Sequence, residues 1–319
     1  MRLIKPYKVL LILGNGFDLS LGLKTSYASF MESELFKKWV KIKHYPNAKV
    51  NLHDKNIFNY LHLQKGLRNW IDVEEELKKY ASDQKVEYHN DNGGTLYTSN
   101  FSDADIKNSY TILCFALQTY IQSLDYSEVD ENALSLELLK IVLNKKRNDV
   151  VTFNYTDVNR LVSNPRACVE YMHGNTKEGI ILGFQRFDNM AAGYEYMIKS
   201  ENPMYKSRHL SAKMLDADEV IIYGHSLRET DHCYFKPFFD EQTSERANPR
   251  RLTIFTLDKA SRASITQQMV ALSDKKYQVF QDNTNVNVIE TSNNETNVKA
   301  YITDLKKRMR RFSISFTDS

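Results

Sequence analysis

The sequence predicts an α/β fold: a doubly wound, mostly parallel Rossmann-like sheet with a helical insertion after the first βα unit. Three observations predict it. Residues 8–13 form a short strand, apolar throughout after Lys8, that stops at Gly14-Asn15-Gly16. Strand signals resume after residue 148 and alternate with helical stretches. A long run of helical periodicity lies between. A strand apolar on both faces belongs in a sheet covered on both sides, and strands alternating with helices make that sheet parallel.

Taken in order, the glycine-bearing turn leads to a helix expected over residues 26–42. Residues 61–80, 106–124 and 132–146 carry apolar side chains at helical spacing. The polar stretch 83–105, with Gly93-Gly94 inside it, reads as a long loop or lid. Strands are expected at 149–153, 168–172, 180–183, 219–223 and 251–257. Residues 281–298 are polar, with six asparagines, and a final helix is expected over 297–311. No internal repeat has a solenoid period. The expected domains are a Rossmann-like nucleotide-binding domain, residues 1–30 and 148–319, and a helical insertion or lid, residues 31–147.

At roughly 150 residues per domain, 319 residues make about two units, or one large domain with an insertion. Hydrophobic residues are 42% and charged residues 26%, which excludes wholesale disorder. The net charge is only +3, from 43 basic and 40 acidic residues, which argues against a dedicated nucleic-acid binder. Cys114, Cys168 and Cys233 stand far apart, so neither a disulfide framework nor a Cys-x-x-Cys metal pair is expected. That usage points to a reducing compartment. No apolar run approaches the ~18 residues of a membrane span, so no membrane partner is expected. Lys5, Pro6 and Lys8 before Val9–Leu13 faintly resemble a signal peptide. The apolar run is too short and lacks a cleavage site, and reads as a buried strand. A cytoplasmic protein is expected.

Six constellations carry chemistry. Leu13-Gly14-Asn15-Gly16-Phe17-Asp18 joins the first strand to a helix. Its glycines permit a sharp turn and close approach to a pyrophosphate; Leu19 breaks the full Gly-x-Gly-x-x-Gly fingerprint. Its place in the first βα unit favours phosphate binding over a plain tight turn. Asn154, at an expected strand end, suits ribose, amide or water recognition, though taken alone it reads rather as a helix N-cap. His173, followed at once by Gly174, is a candidate general base or a hydrogen-bonded core histidine. Gly224-His225-Ser226-Leu227-Arg228 resembles the Gly-x-Ser-x-Gly elbow of α/β hydrolases. Arg228 replaces the last glycine, and no histidine follows beyond His232. Ser226 is therefore a candidate ligand contact or a helix start. Asn69-Trp70-Ile71-Asp72-Val73-Glu74-Glu75-Glu76 reads as a solvated acidic helix face unless Trp70 and Asp72 point at a ligand. The run 306–311, five basic residues in six, is more economically a solvated helix C-terminus than a nucleic-acid contact.

Together these pieces resemble the AbiH family of bacterial phage abortive-infection proteins. The resemblance rests on residues 13–19, Thr25-Ser26-Tyr27, Trp70-x-Asp72-x-Glu74, Phe153-Asn154-Tyr155-Thr156, His173-Gly174, and Gly224-His225-Ser226-Leu227 with Asp231, in that order. That family in turn resembles sirtuin-like Rossmann-type defence proteins that cleave or sense NAD. Gly14 and Gly16 match the opening sirtuin glycines. Thr152 and Asn154 match its Thr-x-Asn, His173-Gly174 its His-Gly, and Gly224, Ser226 and Asp231 its last strand end. Thr156 stands where that motif has aspartate, and the sirtuin zinc cysteines are absent. No zinc module, metal or deacetylase activity is expected.

The resemblance implies an anti-phage protein that binds a nucleotide, NAD, as ligand or substrate. It implies cleavage of the nicotinamide–ribose bond, with Asn154 orienting water or ribose and His173 as base. Gly14, Asn15, Gly16, Phe17, Asp18, Thr25, Thr152, Gly224, Ser226 and Asp231 would line the nucleotide. Asp72 and Glu74 would set a carboxylate beside the cationic centre. The alternative is a non-catalytic nucleotide sensor controlling assembly or toxicity; nuclease action through the basic C-terminus is the third reading. A phage-derived trigger and self-assembly into a homo-oligomer are compatible with either of the first two.

Overall fold

The computed structural model describes residues 7–41, 55–66, 72–82, 86–89, 95–98, 104–205, 208–292 and 294–311. Lys5, Pro6, Asn69, Trp70, Ile71, Gly93 and Gly94, which the sequence analysis singled out, lie outside the described residues. The chain divides into two compact units: residues 1–23, 125–172 and 206–319, and residues 24–124 and 173–205.

The first unit is built on a six-stranded parallel sheet. Its strands are β1 (Val9–Leu13), β2 (Asp149–Thr152), β3 (Cys168–Tyr171), β4 (Glu219–Tyr223), β5 (Arg250–Thr256) and β6 (Thr284–Glu290). Their spatial order is β6-β5-β4-β1-β2-β3, the strand order of a doubly wound Rossmann-like sheet. From β1 the chain steps outward through β2 and β3, then returns to β4 on the other side of β1 and steps outward the opposite way. Right-handed crossovers in opposite directions put helices on both faces.

Burial explains which sequences became which strands. Val-Leu-Leu-Ile-Leu in β1 and Glu-Val-Ile-Ile-Tyr in β4 are buried at every position. Val9, Leu11 and Leu13 share one hydrophobic cluster with Leu136, Leu139 and Val142 of helix Leu134–Leu143 and with Val298, Ile302 and Leu305 of helix Glu295–Arg311. Leu10 and Ile12, equally buried, face the other side. Strand β6, at the sheet edge, alternates exposed or half-buried residues along Asn285–Val288. That is why 281–298 reads as polar: an edge strand lacks the continuous apolar run that marks a central one. The segment 180–183 differs too. It contributes only Ile180 to a two-residue antiparallel pairing of Gly174–Asn175 with Gly179–Ile180, and does not enter the large sheet.

The second unit contains helices Tyr27–Glu32, Glu34–Lys37, Ile57–Gly66, Val73–Tyr80 and Ala104–Gln122. The single helix expected over 26–42 is broken at Ser33, which sits in an extended conformation and caps the next helix by accepting from Phe36 N. Within the stretch expected as a loop, Val86–His89 pairs antiparallel with Thr95–Thr98. Segment 173–205 is tied to helix Ala104–Gln122. Tyr110 Oη donates to Leu182 O at 2.6 Å, and Gln118 Nε2 and Gln122 Nε2 donate to Thr176 O at 2.9 and 2.6 Å.

Candidate functional site

In the first unit the sequence motifs converge where the strand order reverses, at the carboxyl ends of β1 and β4. Gly14 N donates to Tyr223 O and Gly16 N to Gly224 O, each at 2.9 Å, while Phe17 N donates to Gly14 O at 2.9 Å. Two turns therefore lie backbone against backbone. A Cβ on Gly14 would stand 2.5 Å from His225 Cα, and one on Gly16 would stand 2.7 Å from Gly224 Cα. Gly224 has φ +66°, and its Cβ would stand 2.4 Å from Phe17 N. The glycines serve this packing, and the amides of Gly16 and Phe17 are turned to protein carbonyls.

Asn154 follows β2 and is buried; its Nδ2 donates to Gly14 O at 3.0 Å, and its backbone N donates to Thr152 Oγ1 at 3.0 Å. It therefore clamps the β1 turn; the capping role nearby belongs to Asp157, which accepts from Asn159 N. Asp18 is buried, and Thr156 Oγ1 lies 2.9 Å from its Oδ2 and 3.1 Å from its Oδ1. Burial, then the charge of Asp18, pushes the Tyr126 phenol up to about 12. Phe17 is a core residue, edge-on to Tyr223 at 5.8 Å between ring centroids. Asn15 and Ser226 are exposed beside these turns.

His225, which sequence reasoning left without a role, organises the second turn. Its Nδ1 accepts from Leu227 N at 3.0 Å, and its Nε2 lies 3.4 Å from Asp231 Oδ2. Its ring packs against Phe153, tilted by 54° with centroids 4.3 Å apart. Leu227 adopts φ +52°, a costly conformation for a branched residue, and the His225 bond helps to hold it there. His232, the one histidine after Ser226, has its Nε2 3.1 Å from Leu227 O and 2.8 Å from Gln268 Oε1, so it does not form the serine–histidine pair a hydrolase elbow requires.

The second unit holds Thr25, Asp72, Glu74 and His173. Thr25 is half-buried ahead of helix Tyr27–Glu32. Asp72 caps helix Val73–Tyr80, accepting from Glu74 N at 3.0 Å and Glu75 N at 3.4 Å. The acidic run is not a solvated face. Glu76 is buried and accepts from Tyr60 Oη and Lys79 Nζ, both at 3.0 Å. Glu74 Oε2 pairs with Lys199 Nζ at 2.9 Å, and that same Nζ lies 3.3 Å from His173 Nε2. Lys199 is only 2% exposed. A single lysine carries no pattern in sequence, so nothing there marked it.

The basic C-terminal run is partly absorbed by structure. Lys306 Nζ pairs with Glu137 at 2.6 Å, and Arg308 with the buried Glu219 at 3.0 Å. Among the described residues no helix is long and apolar enough to cross a membrane, and no group of three or more His, Cys, Asp or Glu could hold a metal ion.

Comparison with known proteins adds one finding. No curated protein matches the chain. A family model, bacteriophage abortive infection AbiH, matches residues 10–256, from within β1 to the last residue of β5. The match takes in both turns of the strand-order reversal and the His173 segment. Covering well over half of the sequence, it establishes that the chain belongs to the bacteriophage abortive infection AbiH family.

Proposed function

We propose that this chain, which family membership places in phage abortive infection, works through a nucleotide, NAD, bound by its Rossmann-like unit. The observation that carries the reading is the strand order: it reverses between β1 and β4. Ligands of open α/β sheets bind in the crevice outside the carboxyl ends of the strands at such a reversal. Gly14, Gly16, Asn154, Gly224 and Ser226 all belong to turns that leave those ends. Gly16 N and Phe17 N already serve protein carbonyls, so the pyrophosphate and ribose contacts fall to exposed Asn15 and Ser226 in this reading. Asn154 holds the Gly14 turn in shape for them.

The second half of the proposal is hydrolysis. Water attacks the ribose carbon bonded to nicotinamide, the C–N bond breaks through an oxocarbenium-like state, and nicotinamide leaves. The water's proton must be accepted, and His173 is the residue the family resemblance supplies for it. A non-catalytic sensor is favoured by one observation: Asn154 Nδ2 donates to Gly14 O and so braces the β1 turn.

The experiment is incubation of purified protein with NAD, following free nicotinamide by chromatography and NAD binding by calorimetry. Wild type is set beside Ser226→Ala, Asn154→Ala and His173→Ala. Release lost in His173→Ala, by about 10²–10⁴-fold for a missing general base, with binding intact, supports hydrolysis. Binding that weakens in Ser226→Ala without any release supports the sensor. Absence of both, with phage-infected lysate as well as without it, refutes NAD as the ligand.

A further inference from the structure

Lys199 is a buried cation. At 2% exposure its ammonium must be matched by charge and hydrogen bonds, because an unpaired buried charge is prohibitively costly. Glu74 Oε2, 2.9 Å away, supplies the opposite charge. An ammonium has donors only. Its second contact, His173 Nε2 at 3.3 Å, must therefore be an acceptor. Both backbones are fixed. His173 O accepts from Ile181 N at 2.7 Å, and Lys199 N donates to Phe184 O at 2.9 Å.

We infer that Lys199 is the positioning residue of His173: anchored by Glu74, its ammonium occupies the Nε2 lone pair and so keeps the ring proton on Nδ1. The inference rests on His173 as the proton-handling residue of the proposed function. In this state His173 is a donor through Nδ1, and it takes a proton at Nε2 only after the Lys199 contact opens. Glu74, read from sequence as a nucleotide contact, acts here through the lysine.

Side-chain two-bond ¹H–¹⁵N correlation spectra of the full chain read the tautomer of each histidine directly, and His173→Gln identifies the His173 signal. The expected result is an Nδ1–H pattern in wild type that shifts toward Nε2–H in Lys199→Met and is restored in Lys199→Arg. An Nε2–H pattern in wild type, or an unchanged pattern in folded Lys199→Met, overturns the inference and leaves a purely structural ion pair. If Lys199→Met does not fold, Lys199→Met with Glu74→Gln removes both charges together, and the same shift is required of it. No nucleotide is present in these spectra, so their outcome is separate from that of NAD binding.

Discussion

Replacing Gly224 by alanine tests whether the glycines of the strand-order reversal are there for packing. The residue has φ +66°, and a Cβ would stand 2.4–2.5 Å from Phe17 N and from Gly16 C and Cα. Those are backbone atoms, so no side chain can swing aside, and ordinary contact requires the turns to part by about 1 Å. A left-handed conformation costs an L-residue about 1–2 kcal/mol. Forcing an extra methyl into a filled space costs about 1–3 kcal/mol. Parting the turns also weakens the Gly16 N to Gly224 O bond, about 0.5–1.5 kcal/mol. Together about 3–6 kcal/mol is lost, a large share of the typical ~5–15 kcal/mol total. At a urea slope of about 3 kcal/mol/M the midpoint falls by about 1–2 M, read by circular dichroism. Gly66→Ala is the control: nothing lies within 4 Å of its Cβ, and it closes helix Ile57–Gly66. It should be neutral or stabilising by up to about 1 kcal/mol. A Gly224→Ala protein within 1 kcal/mol of wild type refutes the packing argument.

Other outcomes follow from the same geometry. Asn154→Ala removes the clamp on Gly14 O and should lower stability by about 1–3 kcal/mol in the same urea titration, whether or not nucleotide is bound. At the opposite end of the sheet, buried Glu219 accepts from Tyr7 and Tyr301 and pairs with Arg308. Burial, then the Glu219 charge, raises both phenols well above their ordinary value. A group whose folded pKa is raised contributes stability fully below its unfolded value, about 10, and loses it as pH climbs through the folded value. Thermal stability should therefore fall above about pH 10, and Tyr301→Phe should flatten that fall while losing about 1 kcal/mol at neutral pH. Thiol labelling should reach exposed Cys168 and Cys233 first, since burial pushes Cys114 up to about 12; equal labelling rates would contradict the described packing.

The centre of the fold was written in the sequence. Strands buried on both faces demand consecutive apolar residues, so Val9–Leu13 and Val220–Tyr223 announce themselves, and the glycine turns mark where those strands end. Edge strand β6 did not, because Thr-Asn-Val-Asn-Val-Ile-Glu faces solvent along its middle and reads as loop. Nor could local pattern tell what the glycines meet. Gly14 and Gly16 look ready for a ligand, yet their close neighbours are Gly224 and His225, some 200 residues away in the chain. The same holds for Asn154, whose partner is Gly14 O across 140 residues, and for Lys199, whose Glu74 is 125 residues back. Periodicity and turn chemistry are local properties that a sequence carries along its length. Hydrogen bonds and charge pairs between distant segments exist only once packing brings them together, and there the tertiary structure alone decided which polar residues stand exposed and which brace the fold.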